Sequence, residues 1–597
     1  VKVSELVEEA AAPDLNPHLV QRMSAAEPQH PLPISSVTPA PAAPVRIGFV
    51  SLGCPKNLVD SEVMMGMLQQ AGAEMTTSPE TADVLVVNTC SFIDSAKQES
   101  VDTILEMAGH KLAAGGRARK LIVAGCLVER YRNEIQKNIP EVDAVLGTGE
   151  LESILAAAGL SAPTAAPVSP SPFHILTGIG AGITTATTAA VELASEAAGV
   201  LAGAAAAATA IVRPAMESVA SALTHGGEAA STPHEVGAGR VGGLAVEHPI
   251  LPSSRPEGDL REKQGRFSRE DWLGASPLAP AYLYDDTTPR LLATGKTSAY
   301  IKIAEGCDHP CTFCVIPNLR GKFRSRRLES VVAEATRLVS QGVREITLIG
   351  QDTTCYGEDL GIKDGLALLL DRLAVIEGLH WVRFLYAYPN RITARLLETI
   401  AKHDTIPNYL DVPLQHASPA VLKAMRRGAH ADIFLRTIEK ARATIPNLVL
   451  RTGFIVGFPG ETDADFDILK QFVRDAKFDW MGVFSYSDEE GAGAFSFADK
   501  LPQRLIEQRR RSLMRLQQGI SKRAKQSWIG RTLPVLVEGE SEETPLLWEG
   551  RSEFHAPEID GKLYINDFGD HETLAAGTFY TCEITEAHDY DVVARIL

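Results

Sequence analysis

The sequence predicts an α/β protein made of an N-terminal doubly wound parallel-sheet domain, a partial β/α barrel and a small C-terminal β-barrel. Three observations predict it. From Arg46 onward short apolar runs alternate with helical stretches, the alternation returns six times between Ser298 and about Asp499, and residues 527–597 read as short strands with Gly-containing turns. A chain of 597 residues is also too long for one hydrophobic core, and ordinary domain sizes give roughly three or four units.

Residues 1–44 are rich in Ala, Pro and Glu without a sustained period and read as a disordered leader. Glu5, Glu8, Glu9 and Asp14 fall where a secretory signal would carry its apolar segment, so no signal peptide is expected. Residues 45–160 form the first domain, with strands expected at 47–52, 84–87, 121–124 and 144–146 and helices at 61–71 and 93–108. Residues 161–292 are of low complexity, first dotted with Pro163, Pro167, Pro170 and Pro172 and then rich in Ala, Thr and Gly. They read as a linker or insertion without chemistry. Residues 293–525 carry strand-like runs at 300–304, 345–349, 381–386, 409–412, 449–456 and 481–486, and a barrel of this kind works at the C-terminal ends of its strands. The unit ends in a basic helix, 503–525, with eight Lys and Arg residues. Residues 526–597 supply strands at 532–537, 563–565 and 579–584, the spacing of a small β-barrel.

Composition narrows the function classes. The chain is 45% hydrophobic and 22% charged with a formal net charge of -17, which describes a globular protein whose acidic surface disfavours broad adhesion to phosphate backbones or anionic lipid. The longest weakly apolar stretch, 197–212, is short and mostly alanine, so no membrane segment is expected. Eight cysteines are too few for a disulfide scaffold in so large a chain and predict reduced thiols in a cytoplasmic protein.

The cysteines fall into two patterns. In "EGCDHPCTFCVIP", Cys307, Cys311 and Cys314 share one loop directly after the first barrel strand. Three thiolates from one short loop can hold three irons of a cubane and leave the fourth open to a substrate. Zinc is the competing occupant, with His309 as a fourth ligand, but structural zinc prefers closed sets built from C-x2-C pairs and no second pair follows. The other pattern is dispersed: Cys54 in "SLGCPKN", Cys90 in "VNTCSF" and Cys126 in "VAGCLVE", each immediately after an expected strand. Carboxyl ends of parallel strands meet at one edge of a doubly wound sheet, so these three can converge into a second three-thiolate site. Buried packing cysteines are the alternative.

The loop, with Phe313 before its last cysteine, resembles the radical S-adenosylmethionine signature, and "GCPKNLVDSE", "NTCSF" and "AGC" ahead of such a loop resemble the methylthiotransferases. The resemblance covers about residues 45–160 and 293–597 and makes the C-terminal barrel TRAM-like. It implies two 4Fe-4S clusters, S-adenosylmethionine chelated at the open iron of the loop cluster, and a reducing electron donor. It further implies a 5′-deoxyadenosyl radical that abstracts hydrogen from an unactivated carbon, and a second cluster that carries the sulfur or methylthio group. Gly350 and Gln351 in "IGQDTTCYG" are placed like the family's cofactor loop, with an ordinary βα turn as the alternative. Gln415 and His416 in "VPLQHAS" sit at another strand end, in reach of ribose or methionine groups, with His416 alternatively orienting its loop. Arg451 and Gly457 lie in "RTGFIVGFPGET". Arg451 offers a fixed cation to a carboxylate, and Gly457 and Gly460 would admit backbone close to adenine. The run "RGKFRSRR" at 320–327 reads either as a solvated face or as a site for an acidic partner or phosphate. Cys355 and Cys582 have no assigned role, and Cys582 reads as a packing residue.

Methylthiotransferases act on a tRNA adenosine or on a ribosomal-protein aspartate. Residues 527–597 hold fifteen acidic and four basic residues, the wrong sign for an RNA-binding module and a better match to a basic ribosomal protein. With "GCPKNLVDSE" and "EIDG", the likeness points to the branch that methylthiolates an aspartate β-carbon in small-subunit ribosomal protein S twelve. RNA contact, through the basic helix, is secondary. A tRNA methylthiotransferase and an iron-sulfur carrier without catalysis are the competing readings.

Overall fold

The computed structural model describes residues 43–161, 282–293, 297–428, 431–541, 544 and 546–597. Residues 1–42 of the expected leader lie outside them, as do residues 162–281 of the low-complexity segment. In the first domain, β1 (Arg46–Ser51), β2 (Glu74–Thr76), β3 (Val84–Thr89), β4 (Lys120–Gly125) and β5 (Ala144–Leu146) form one parallel sheet in the order β2-β1-β3-β4-β5. Every residue of β3 is buried, as expected for a strand covered on both faces. Strand order reverses between β1 and β3, and loops leaving neighbouring strands at such a switch point open a crevice. The expected strands are present, and β2 is an addition, a three-residue edge too short to show a pattern.

The first helix departs from expectation. It runs as α1 (Pro55–Gln70), six residues earlier than its apolar spacing suggested. Pro55 supplies a preset first turn, and the next polar residues, Lys56, Asn57, Asp60, Ser61 and Glu62, are all buried. Polar residues that face a partner domain erase the amphipathic stripe by which such a helix is recognised. The helices α2 (Asp94–Ala108) and α3 (Cys126–Asn138) follow β3 and β4.

Residues 282–293 pack against the first domain, with Arg290 on Glu62 and Glu334 and with Leu291 N donating to Glu62 O. Strand β6 (Ser298–Lys302) is followed by a short antiparallel pair, β7 (Ala304–Glu305) and β8 (Arg324–Ser325), flanking helix α4 (Ile316–Arg320). Parallel sheets β10 (Trp381–Phe384)-β9 (Glu345–Ile349)-β6 and β11 (Tyr409–Asp411)-β12 (Val449–Val456)-β13 (Trp480–Ser485) make the partial barrel. A hydrogen bond from Ala387 N to Asp411 O stitches the two sheets.

The long helix α5 (Gln503–Gln526) is less available to nucleic acid than its composition suggests. Arg509 is buried on Glu461 and Asp463, and Lys525 is buried with its ammonium 3.4 Å from the Trp480 ring centroid. Lys522 pairs with Asp589, and Arg510 and Arg511 with Glu507.

The C-terminal unit is a closed barrel, β14 (Thr532–Glu540)-β15 (Trp548–Ser552)-β16 (Leu563–Asp567)-β18 (Val592–Ile596)-β17 (Phe579–Ala587). Strands β15 and β18 were not anticipated. Residues 553–560, between β15 and β16, close the base of the partial barrel. Trp480 Nε1 donates to Phe554 O at 2.9 Å, Tyr300 OH to Pro557 O at 3.1 Å and Tyr409 OH to Asp560 Oδ2 at 2.7 Å. Arg383 and Arg551 both pair with Glu345, which is fully buried. Trp480, Tyr409 and Glu345 each begin their strand, so the small barrel occupies the end opposite the cysteine loop.

Candidate functional site

The dispersed cysteines meet at the carboxyl edge of the first sheet. Cys54 precedes α1, Cys90 follows β3 and Cys126 opens α3, so two of the three sit at helix N-termini, whose free N–H groups and dipole favour thiolate. Glycine shapes the approach. Gly53 (φ 92°) and Gly125 (φ 96°) adopt left-handed conformations, and a Cβ on Gly53 would lie 2.8 Å from Cys90 Cβ. Ser91 Oγ donates to Cys126 O at 3.0 Å and Thr89 Oγ1 to Ala124 O at 2.6 Å, tying the second and third loops together. Burial raises the Cys90 thiol and pushes Cys126 up to about 12, with the charges of neighbouring cysteines adding to both and Arg320 partly offsetting them. Metal-free, Cys90 and Cys126 are therefore protonated at neutral pH.

The loop cysteines sit across the junction. Cys307 N donates to Gly321 O at 3.1 Å, Thr312 N to Met425 O at 3.1 Å and Thr312 Oγ1 to Ala424 O at 2.8 Å, so the loop is held from two sides. Phe313 packs on the cluster of Val421, Met425, Phe458 and Tyr486. His309 stacks on Tyr388 at 3.9 Å between ring centroids, and its Nε2 lies 2.6 Å from Asp352 Oδ2. Arg427 Nη1 lies 3.8 Å from Cys311 Sγ. Burial pushes Cys307 up to about 11 and Cys314 to about 12.

A single bound ion demands close donors. Tetrahedral zinc with bonds of about 2.3 Å brings its sulfurs to roughly 3.8 Å. Among the described residues, the one group of three metal-ligating side chains whose ligand atoms lie within 4.8 Å is His309, Asp352 and Cys355. That group is joined by hydrogen bonds, with Cys355 Sγ donating to Asp352 Oδ2 at 2.9 Å. All eight cysteines are free. Each trio offers three free thiols and no fourth protein ligand of its own kind, the donor set that a cubane with one open iron takes.

A buried polar network joins the two domains between these trios. Asp60 of α1 receives Lys302 Nζ at 2.5 Å and Arg320 Nη1 at 2.8 Å, and Glu305 receives the same two cations at 2.6 and 3.1 Å. Burial alone would raise the Glu305 carboxyl, but Arg320 and Lys302 hold it well below the usual range. Lys56, two residues after Cys54, donates to Gly350 O at 3.3 Å and lies 3.4 Å over the Tyr386 ring. Beside the network, Glu489 pairs with Lys97 of α2 at 2.8 Å and Arg130 of α3 at 2.6 Å. The motif "GCPKNLVDSE" thus joins the first domain to the barrel mouth. None of these partners was anticipated, and the usable signal was a dense polar run beginning directly after a cysteine.

The expected cofactor contacts divide. Gly350 and Gln351 lie at this mouth, with Gln351 Nε2 donating to Glu305 Oε1 at 2.7 Å. Gln415 has a left-handed backbone (φ 74°) and bridges Phe454, while His416 is buried, pushed down to about 3 by burial, and accepts from Ser418 N. His416 therefore orients its loop. Arg451 lies in the first half of β12, held by Asp411 at 2.9 Å and Asp560 at 3.4 Å, so its charge already has carboxylate partners. Gly457 (φ 81°) admits helix α5, since a Cβ there would lie 2.4 Å from Ile506. Arg320 and Arg326 of the basic run are buried in ion pairs, while Lys322 and Arg327 of the same run are exposed. Cys582 is a fully buried packing residue, as expected.

Residues 46–147 match the family described as Uncharacterized protein family UPF0004, residues 301–473 the Radical SAM superfamily and residues 529–597 the TRAM domain. The chain is 60% identical to the ribosomal protein uS12 methylthiotransferase RimO of Koribacter versatilis, over 94% of this chain and 99% of that one. It is 50% identical to the protein of the same name from Solibacter usitatus, over 93% and 95%. Among solved structures, the radical S-adenosylmethionine methyltransferase TsrM from Kitasatospora setae is similar at a TM-score of 0.42 and 13% identity, covering 76% of this chain and 74% of that one. With relatives this similar spanning nearly the whole chain, the protein belongs to the RimO family of radical S-adenosylmethionine methylthiotransferases.

Proposed function

We propose that Cys307, Cys311 and Cys314 hold one 4Fe-4S cluster and Cys54, Cys90 and Cys126 a second, and that the chain uses them to methylthiolate an aspartate β-carbon of ribosomal protein uS12. The observation that carries this reading is the meeting of the two trios across one junction, spanned by α1 and by Arg320. When bound, the clusters and S-adenosylmethionine supply the radical and the sulfur. The chain's own residues do the rest. The carbonyls of Gly321, Ala424 and Met425 hold the cysteine loop in place. Gly350 and Gln351 border the S-adenosylmethionine site, with Phe313 packed behind the loop and Gln415 near its rim, whereas Arg451 braces Asp411 and Asp560 and Gly457 makes room for Ile506 of α5.

The units are 45–160, 293–525 and 526–597, with a leader at 1–44 and a low-complexity segment at 161–292 between the first two. The acidic C-terminal barrel supports a basic protein substrate, with RNA contact secondary. No helix among the described residues is long and apolar enough to cross a membrane, and work on a ribosomal protein fits a cytoplasmic location, where a reducing donor supplies electrons. The test is anaerobic reconstitution followed by parallel incubation with a uS12 peptide and with tRNA, reading product mass and 5′-deoxyadenosine. A methylthiolated peptide with untouched tRNA is expected. Modified tRNA with untouched peptide would reject the substrate, and no 5′-deoxyadenosine would reject the chemistry.

A further inference from the structure

Arg320 belongs to the partial barrel, yet its guanidinium ends at a cysteine of the first domain. Nη2 lies 3.5 Å from Cys126 Sγ and 3.3 Å from Asn57 Oδ1, while Nη1 donates to Asp60 Oδ2 at 2.8 Å and Glu305 Oε2 at 3.1 Å. Its side chain is 2% exposed. Every contact fixes the fork in one orientation, and the rigid planar donor set that permits this is peculiar to arginine. Glu305 in turn receives Gln351, beside the loop after β9.

We propose that Arg320 is a positioning residue for the dispersed cluster, donating an N–H···S hydrogen bond to its Cys126 ligand from the neighbouring domain. The inference rests on the two-cluster reading above. Hydrogen bonds to cluster sulfurs stabilise the more negative reduced state and raise the reduction potential. The potential of the dispersed cluster then depends on docking of the two domains, and the network that sets it runs through Glu305 and Gln351 to the mouth of the barrel. The loop cysteines have their own cation, Arg427, 3.8 Å from Cys311 Sγ.

The experiment uses two full-length backgrounds, one with Cys307, Cys311 and Cys314 replaced by Ala and one with Cys54, Cys90 and Cys126 replaced by Ala. Each is reconstituted and titrated under electron paramagnetic resonance with and without Arg320→Lys. Lysine keeps the charge but cannot span the carboxylates and the thiolate together. A lower potential and faster loss of iron to a chelator are expected for the dispersed cluster alone. An unchanged potential there, or an equal shift of both clusters, overturns the proposal, the second outcome marking a general structural role. If Arg320→Lys does not fold by circular dichroism, Glu305→Gln, which loosens the anchor and leaves Arg320 in place, must give the same selective shift in smaller degree or the proposal fails. Absence of iron in the first background would instead remove the second cluster itself.

Discussion

The two cysteine trios are built in opposite ways. Cys307, Cys311 and Cys314 lie within one loop, and backbone hydrogen bonds from neighbouring segments hold that loop. Cys54, Cys90 and Cys126 lie 36 residues apart along the chain and meet because β1, β3 and β4 are adjacent parallel strands. The local trio needs a loop conformation. The dispersed trio needs a folded sheet, two left-handed glycines and a docked neighbour. The difference teaches that damage far from the thiols should reach the dispersed site first.

The largest effects separate the sites by chemistry. Cys311→Ala should abolish 5′-deoxyadenosine formation, whereas Cys126→Ala should retain it and lose the methylthiolated product. Each should lower iron from about eight to roughly four per chain. If Cys126→Ala also stops S-adenosylmethionine cleavage, the sites do not divide the work in this way.

Next in size is the domain junction. Asp60→Ala leaves Lys302 and Arg320 buried with Glu305 as their remaining carboxylate, and breaking a buried pair typically costs about 3–5 kcal/mol. Denaturant unfolding should record it, and iron should be lost from the dispersed site before the loop site. Equal loss from both would break the comparison.

The base of the barrel serves as a control that touches neither trio. Burial, against the opposing pull of Arg451, raises Asp560 from 3.8 to about 6. It is faced by Arg451, Tyr409 and, farther off, Arg383. Because the folded carboxyl prefers its proton, its contribution is full below about pH 4 and declines as pH rises through about 6. The shift amounts to about 3 kcal/mol. Asp560→Asn should remove that decline from the stability profile while leaving iron content unchanged.

Smaller still is Gly125→Ala, where a Cβ would lie 2.3 Å from Asn88 Oδ1 on a backbone at φ 96°. Strain of this kind costs about 1–3 kcal/mol, and thermal unfolding of the metal-free chain should show it. Arg395→Ala, on an exposed pair with Asp371, should change stability by under about 1 kcal/mol.

Both trios were legible as chemistry because cysteines placed directly after strands have few other uses. The parallel sheets were legible too, because their buried strands are uninterrupted apolar runs such as 84–87. The start of α1 was not, since Lys56, Asn57, Asp60 and Glu62 read as a solvated face until a second domain covers them. Arg320 and Arg326 were missed for the same reason, and Arg451 and Gly457 acquired partners, Asp560 and Ile506, that lie about 50 residues or more away in sequence.

The sequence by itself determined the fold class, the grouping of six cysteines into two trios and the family likeness, because strand periodicity and thiol spacing are local properties of the chain. Only the tertiary structure decided which polar residues are buried, which charges are already paired and which domain braces which cysteine. Burial and ion pairing depend on segments hundreds of residues apart arriving at one place, as Asp60 and Arg320 do, and no local pattern records that arrival.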